Sequence, residues 1–172
     1  AVAIDRDSIE GVGLLALLDL REDRGEAALQ RSQALVERRP ADPRAMVLEG
    51  DVRVSLGQPR EAAEAFGRAL ALRPDLQIAA KQSAAMRNAR MANPETPLAR
   101  WVAERPDDVR ARALLAEAYQ VGGRRDLAIK HYERLTASPT VGFAQLNNLA
   151  WLYYEQGDDR AEATARRAYD LA

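Results

Sequence analysis

Few residues in this chain have the chemistry of a catalytic or metal site. His131 is the only histidine, and it lies between Lys130 and Tyr132 in a segment with a helical pattern. The chain contains no cysteine, and a zinc site needs several convergent ligands, so we expect no bound metal or other cofactor. We interpret His131 as a surface or partly packed side chain rather than a catalytic base.

Other motifs that could serve an enzyme have simpler structural interpretations. The pair Gly122-Gly123 lacks the lysine and the Ser/Thr of a phosphate-binding loop, and its place in the sequence suits a helix turn. The acidic pairs Asp107-Asp108 and Asp158-Asp159 precede predicted helices, where carboxylates accept hydrogen bonds from free N–H groups. We therefore predict no enzymatic activity for this chain, and such a role would need a site outside it.

Binding chemistry is concentrated near the C-terminus, at Asn147, Trp151 and Tyr154. Aromatic residues make up only 5% of the chain, and exposed Trp and Tyr favour binding hot spots. The Asn147 amide can hydrogen-bond a peptide backbone in two directions. Aromatic faces also stack on sugar rings, so a polysaccharide is an alternative ligand. The neighbouring Asn148 is expected to order nearby backbone rather than to bind a ligand.

The elements that position these residues repeat about every 34 residues. Frames that start at Ile9, Pro43, Gln77, Val109 and Phe143 are separated by 34 (43−9), 34 (77−43), 32 (109−77) and 34 (143−109) residues. The eighth residue of every frame is small: Ala16, Gly50, Ala84, Ala116 and Ala150. Prolines close the first three frames at Pro40, Pro74 and Pro106, and Pro139 falls one place early in the fourth. Such a period predicts stacked helical hairpins.

Each frame predicts a helix, a short turn and a second helix. In the second frame the helices are predicted at residues 44–55 and 60–72, around the turn that contains Gly57 and Pro59. The third frame is less regular. We predict that its second helix is short and starts with Thr96 as N-cap, and that Pro94 stands where the better frames have a small alanine. Residues 11–18 are apolar on every side, which predicts that a neighbour covers them.

These residues resemble the tetratricopeptide repeat. The fourth frame carries the matching residues Leu115, Ala116, Tyr119, Gly123, Ala128 and Tyr132, and the second carries Gly50, Gly57, Ala62, Phe66, Ala69 and Pro74. The resemblance covers essentially the whole chain. It implies an all-α, right-handed superhelical solenoid of about five hairpins over residues 1–172, a single array that acts as a non-catalytic scaffold for protein–protein interaction.

In this architecture the first helix of each hairpin lines a concave groove with its second, fifth, ninth and twelfth residues. The predicted partner-binding residues are Arg44, Asp51, Lys81, Asn88, Arg110, Glu117, Gln120, Asn147, Trp151 and Tyr154, and the third frame adds Ile78 and Ala85 to this face. Arg44 and Arg110 either grip an acidic partner or are solvated charges near Asp42 and Asp107. Trp151 and Tyr154 either contact a ligand or pack on a following repeat.

The clamp by which chaperone adaptors of this family hold a terminal carboxylate is not assembled. Ala85 stands where an asparagine should follow Lys81, and Leu114 stands where the next repeat needs one. Chaperone C-terminal tails are therefore not the expected partner.

Residues 146–152, with the sequence Leu-Asn-Asn-Leu-Ala-Trp-Leu, are similar to a narrower group. These are the bacterial tetratricopeptide-repeat lipoproteins that accompany the exosortase/PEP-CTERM sorting system and exopolysaccharide production. The resemblance implies a periplasmic or outer-membrane-associated protein with a role in exopolysaccharide export or envelope protein sorting. The alternative location is cytoplasmic.

Composition limits the class of partner. Charged residues make up 30% of the chain but leave a formal net charge of −1, so a globally basic nucleic-acid binder is not expected. The longest apolar run, near residues 12–18, is far shorter than the ~18 residues of a membrane span. The chain starts without Met or a signal peptide and stops at Ala172, so we interpret it as a piece of a longer protein, with any lipid anchor outside it. Self-assembly through the last hairpin is a third alternative.

Overall fold

The computed structural model describes residues 8–136, 138 and 141–172, and these form ten α-helices. Their bounds are α1 Ile9–Arg21, α2 Gly25–Arg38, α3 Pro43–Ser55, α4 Pro59–Leu72, α5 Leu76–Asn88, α6 Thr96–Glu104, α7 Val109–Val121, α8 Arg125–Thr136, α9 Phe143–Gln156 and α10 Arg160–Tyr169. The predicted all-α fold is confirmed. No helix in the described part of the chain has both the length and the apolar character that a membrane crossing requires. Pro139 lies outside the described residues.

The first helices begin at the predicted frame starts, except in the third hairpin. There α5 begins at Leu76, one residue before the predicted start at Gln77. Because successive helical residues point about 100° apart, this shift changes which side chains face inward. Ser83 is buried with 2% of its surface exposed, while Ala84 is only half-buried. The small inward residue is therefore Ser83, and the prediction of Ala84 was wrong because two small residues are adjacent.

Every first helix ends in the same left-handed turn. The fifteenth residue from each helix start has a positive φ: Asp23 (59°), Gly57 (69°), Arg90 (52°), Gly123 (73°) and Gly157 (68°). The next backbone N–H donates to the carbonyl five residues earlier, over 2.8 Å at Arg24 and Arg124 and 2.9 Å at Gln58, Met91 and Asp158. This is the Schellman arrangement, which satisfies carbonyls that a helix end leaves free.

Side-chain caps start several first helices. The carboxylates of Asp42, Asp75 and Asp108 accept hydrogen bonds from the amides of Arg44, Gln77 and Ala111, over 3.0, 2.8 and 2.9 Å. Each such bond satisfies an amide that has no partner within the helix, which fixes where the helix begins.

The sixth helix is short, as predicted, with nine residues. Its N-cap is Glu95 and not Thr96, which is already helical. Glu95 is also buried, and it occupies the place of a small alanine, since 95−76 equals 62−43. The assignment of that place to Pro94 was wrong, because the residue that lies nineteen positions after the start of α5 is Glu95.

The chain divides into two compact units between Pro94 and Glu95. The first unit contains α1–α5, and Phe66 lies at the centre of a core cluster with Met46 and Ile78. The second contains α6–α10, and its core is formed by Tyr132, Leu135, Leu149, Leu152 and Tyr153 with their neighbours. The two helices of the predicted third hairpin, α5 and α6, thus belong to different units, and the single array stays a prediction.

The apolar first helix has an uncovered side. In the first unit Leu14, Leu17 and Leu18 are exposed, although Val12 and Ala16 of the same helix are buried. Among the described residues, the predicted covering neighbour is not present.

Candidate partner-binding surface

The predicted groove positions of α7 and α9 are accessible. On α9, Ala144, Asn147, Trp151 and Tyr154 are all exposed, while Leu146, Leu149 and Tyr153, which lie between them, are buried. On α7, Arg110 and Glu117 are exposed, and Ala113 and Gln120 are half-buried. We call these eight residues the α7/α9 face. Their spacing places the members from each helix on one side of it.

A hydrogen-bond chain through Tyr132 of α8 joins α7 to α9. The Tyr132 hydroxyl donates to Gln120 Oε1 over 3.0 Å and accepts from Asn148 Nδ2 over 3.0 Å. Burial raises the pKa of Tyr132, so the phenol keeps the proton that it donates. Asn148 therefore holds a side chain and not the backbone, contrary to the prediction, and Gln120 is engaged within the protein.

A pocket of 340 Å³ opens where α7 and α9 begin. It is lined by Val109, Arg110, Ala113, Leu135, Val141 and Gln145. Most of this lining is apolar, and the Gln145 side chain is held by a 3.1 Å hydrogen bond from the Gly142 amide. The pocket therefore combines an apolar wall with one cationic group, Arg110.

The Arg110 guanidinium has no carboxylate partner within the described residues. The nearby Asp108 carboxylate is engaged elsewhere: it accepts from the Ala111 amide and, over 2.9 Å, from the indole N–H of Trp101. The bond from the Ala111 amide is the main cause that lowers the pKa of Asp108. Arg110 forms no ion pair with Asp107 among the described residues, and this exposed residue lines the pocket.

Trp151 and Tyr154 form an exposed aromatic pair. Their ring centroids lie 5.8 Å apart with the planes tilted by 38°. Trp151 is 55% exposed and Tyr154 is 70% exposed. Asn147 lies one turn earlier, and within the described residues its amide has no hydrogen-bond partner. The three side chains together present two apolar faces beside a solvent-exposed amide.

The predicted site residues of the first unit are arranged differently. Arg44 binds the Asp42 carboxylate over 2.8 Å and lies 3.6 Å from Glu10, as the solvated-charge interpretation predicts. Lys81 on α5 donates to both oxygens of Asp51 on α3 over 2.6 Å. The charged groups predicted to meet a partner here neutralise one another.

The third-frame residues divide between the surface and the interior. Lys81 and Asn88 are exposed, whereas Ile78 and Ala85 are buried with 6% and 2% of their surface exposed. The assignment of Ile78 and Ala85 to the groove was wrong because α5 starts one residue earlier than predicted.

Two buried ion clusters were not identified from the sequence. The buried Asp19 binds Arg24 and Arg31 over 2.6 Å each, and these bonds, chiefly the one from Arg31, lower its pKa. The buried Glu49 binds Arg53, over 2.8 Å, and Arg68. Asp19 and Arg53 are the eleventh residues of their frames, where the later frames carry Tyr119 and Tyr153. The loss of an aromatic residue at that position is the signal that could have revealed these clusters.

His131 is half-buried on α8 and packs against Tyr119, with 5.5 Å between the ring centroids. Burial, with smaller contributions from Arg112, Arg134 and Lys130, lowers its pKa to about 4. The imidazole is therefore neutral near pH 7. Across the part of the chain that the structure describes, His, Asp and Glu side chains do not converge in threes as a metal site would require.

Comparison with known proteins agrees with this geometry. The pattern of the tetratricopeptide repeat family matches residues 43–76, which contain the second hairpin. No curated protein sequence matches the chain.

Solved structures of the same fold cover most of the chain. MamA (residues 41 to the end) from Desulfovibrio magneticus RS-1 has a TM-score of 0.69 at 20% identity, over 98% of this chain and 97% of that one. YrrB, described as a tetratricopeptide-repeat protein with an unusual peptide-binding site, has a TM-score of 0.64 at 18% identity, over 97% of this chain and 88% of YrrB. PilF of Pseudomonas aeruginosa has a TM-score of 0.65 at 18% identity, over 95% of this chain and 74% of PilF. At these identities the similarity shows the fold, which is that of tetratricopeptide-repeat proteins.

Proposed function

We propose that this protein is a non-catalytic interaction module that binds an extended segment of a partner protein on the α7/α9 face. The observation that carries the proposal is the exposed pair of Trp151 and Tyr154 beside the exposed Asn147 amide. A peptide offers apolar side chains for the rings and backbone N–H and C=O groups for the amide. YrrB, which shares the fold, is described with a peptide-binding site.

Energetics favour the second unit over the first as the binding surface. Burying a large aromatic side chain stabilises a complex by about 2 kcal/mol, and Trp and Tyr are enriched among hot-spot residues. In the first unit a ligand would first have to displace the bonds between Lys81 and Asp51. On the α7/α9 face, Arg110, Glu117 and Asn147 are available without such a cost.

The test is a selection of displayed peptides on the whole chain, followed by affinity measurements. In a Trp101→Phe background, Trp151 is the single tryptophan and reports contact through its fluorescence. Phe at residue 101 keeps a ring beside Arg105, which lies 4.1 Å from the ring centroid of Trp101. We expect selected peptides to shift the Trp151 emission, and Trp151→Ala in the natural background to weaken their binding at least tenfold, about 1.4 kcal/mol.

A matched control is Tyr169→Ala on α10. Tyr169 is 81% exposed but lies outside the α7/α9 face, so its removal should leave the affinity unchanged. Peptides that bind Trp151→Ala and the unchanged protein equally would place the site elsewhere and overturn the proposal. A selection that yields no binder would do the same, and would favour the interpretation that Trp151 and Tyr154 pack on a following repeat.

A second candidate function is carbohydrate binding, which the tilt of the same two rings favours. Neighbouring rings tilted by 38° offer a shallow trough in which sugar faces can stack. The Trp101→Phe reporter tests this directly with soluble bacterial polysaccharides. An unchanged Trp151 emission at millimolar sugar would reject this second function and leave the peptide proposal intact.

The cellular setting that we propose is the bacterial envelope, in exopolysaccharide export or protein sorting, with a lipid anchor outside this chain. Its support is the resemblance of residues 146–152 to the lipoproteins of that system. Fractionation of the source bacterium, with the native protein followed by antibody, tests it. A native protein that occurs wholly in the cytosol, with no exported form, would reject this setting.

A further inference from the structure

We infer that the α7/α9 face selects a segment with an acidic and a basic residue three positions apart, the acidic one beside an apolar residue. This inference rests on the proposed function and specifies its ligand. It follows from two exposed charges of α7 that have no ion pair among the described residues, Arg110 and Glu117, from the pocket next to Arg110 and from the distance between the two charges.

Arg110 defines the acidic end of the ligand. It lines the pocket together with Val109, Ala113, Leu135 and Val141, so this charged residue borders a mainly apolar cavity. A volume of 340 Å³ accommodates one aliphatic or aromatic side chain. A guanidinium pairs most strongly with a carboxylate, often through two parallel bonds. The matching ligand therefore carries an apolar side chain followed or preceded by Asp or Glu.

Glu117 defines the basic end. It is exposed on α7 and has no ion pair among the described residues. In the first unit the same helix position holds Asp51, which is also the ninth residue of its helix (51−43 = 117−109). Asp51 forms an ion pair with Lys81, which neutralises it. The residue of α9 that corresponds to Lys81 is Asn148 (81−76 = 148−143). Asn148 binds Tyr132 instead, so the carboxylate of Glu117 is left for a ligand.

The helix sets the spacing of the two charges. Arg110 and Glu117 lie seven residues apart (117−110) on one side of α7, which is ~10 Å along the helix axis at ~1.5 Å per residue. An extended peptide covers ~10 Å in about three residues. A ligand that lies along α7 therefore meets both charges with residues i and i+3, and meets the pocket with a neighbour of the acidic one.

The experiment compares peptide selections on two forms of the whole chain. One is the natural chain, and the other carries Arg110→Glu together with Glu117→Arg, which exchanges the two charges and keeps the net charge. Peptides selected on the natural chain should contain an apolar residue next to Asp or Glu. They should also carry Lys or Arg three positions from that acidic residue, in one of the two directions along the peptide. The exchanged chain should enrich the opposite charge order relative to the apolar residue.

Each form should bind its own enriched class of peptides about tenfold more tightly than the other class at low salt. The difference should be smaller at high salt, since exposed charges are screened. The matched control is the exchange Arg134→Glu with Glu64→Arg, which involves exposed residues outside the α7/α9 face and should keep the natural preference. Each peptide is tested with free and with amidated C-termini. Binding that requires the free terminus would mean that Arg110 holds a chain end, which overturns the spacing.

The two proposals fail in different ways. Peptides that lose affinity with Trp151→Ala but show no charge preference would overturn this inference and leave the proposed function standing. A charge preference that survives the Arg110/Glu117 exchange would also overturn it. If no peptide binds either form, the proposed function fails as well.

Discussion

Gly50 on α3 packs directly against the ring of Phe66 on α4, with no room for a side chain between them. A Cβ at residue 50 would lie 2.5 Å from one ring carbon of Phe66 and 2.8 Å from two others. The same two frame positions hold Ala116 and Tyr132 in the fourth hairpin, since 66−50 equals 132−116. In the second hairpin the inward residue is therefore limited to glycine by a ring of its own hairpin.

Gly50→Ala should destabilise the protein despite the better helix propensity of alanine. Overpacking a core costs ~1–3 kcal/mol, and alanine recovers ~1 kcal/mol relative to glycine inside a helix. We expect a net loss of about 1 kcal/mol, and at most ~2 kcal/mol, in the free energy of urea unfolding. Gly67→Ala is the control, because its new Cβ would meet only the end of the flexible Gln82 side chain. Equal stabilisation of both variants would contradict the packing argument.

Arg90→Gly should stabilise the protein. Arg90 has a φ of 52°, at the turn position that Gly57, Gly123 and Gly157 occupy in other hairpins. A left-handed conformation costs a non-glycine residue ~1–2 kcal/mol, while glycine increases the entropy of the unfolded chain by ~0.5–1 kcal/mol. The net gain in unfolding free energy should be about 0.5–1 kcal/mol. The reverse change, Gly123→Arg, should destabilise by a similar amount, and a loss of stability in Arg90→Gly would refute the turn argument.

Tyr132→Phe should remove the polar link between α7 and α9. The hydroxyl makes two hydrogen bonds, to Gln120 and from Asn148, and each bond contributes about 1 kcal/mol. Because both amides are only half-buried, water can replace part of the loss, so we expect a net cost of about 1 kcal/mol in thermal or urea unfolding. Tyr169→Phe, at an exposed ring, is the control and should change nothing. If Asn148→Ala adds its full cost to Tyr132→Phe, the two residues are not coupled.

His131 should make stability depend on pH between 4 and 6.5. Its pKa is lowered from 6.5 to about 4 in the folded protein, so below pH 6.5 the unfolded chain binds a proton that the folded one rejects. The stability that the neutral imidazole contributes to the folded protein is fully present above pH 6.5 and is lost as pH falls through 4. The groups that oppose protonation are its apolar surroundings, Arg112 of α7, and Arg134 and Lys130 of α8.

The measurement is urea unfolding of the natural chain and of His131→Gln at pH 7 and pH 5. The natural chain should lose about 1 kcal/mol more than the variant, less than the full linkage value because the half-exposed ring is screened. A direct check is the titration of the imidazole by NMR. Equal pH dependence of the two proteins, or an NMR pKa near 6.5, would contradict the burial of the neutral ring.

The repeat was predictable because it depends on local chemistry. A left-handed residue, a capping Asp and a small residue each act within a few positions of the chain, and they recur at a fixed spacing that needs no knowledge of distant contacts. The third frame was placed one residue late because Ser83 and Ala84 are both small. The positive φ of Arg90 resolves this, but a sequence does not mark an arginine as left-handed.

The candidate surface was predictable only as a set of positions. The helical period places Trp151, Tyr154 and Asn147 on one face, and the structure leaves all three exposed. The helical period does not distinguish Arg110, which has no ion pair among the described residues, from Arg44, which occupies the same frame position and is bound to Asp42. That difference depends on side-chain geometry around each residue.

The sequence by itself determined the helices, their order and the exposed face of α7 and α9, since these follow from short-range propensity and a period of about 34 residues. Only the tertiary structure decided which charges are neutralised. Lys81 reaches Asp51 from 30 residues away, whereas Asn148 binds Tyr132, and within the described part of the chain Glu117 has no cation partner. Such pairings depend on how neighbouring helices pack, because a charge is satisfied by whichever group lies within ~4 Å in space, however distant that group is in the chain.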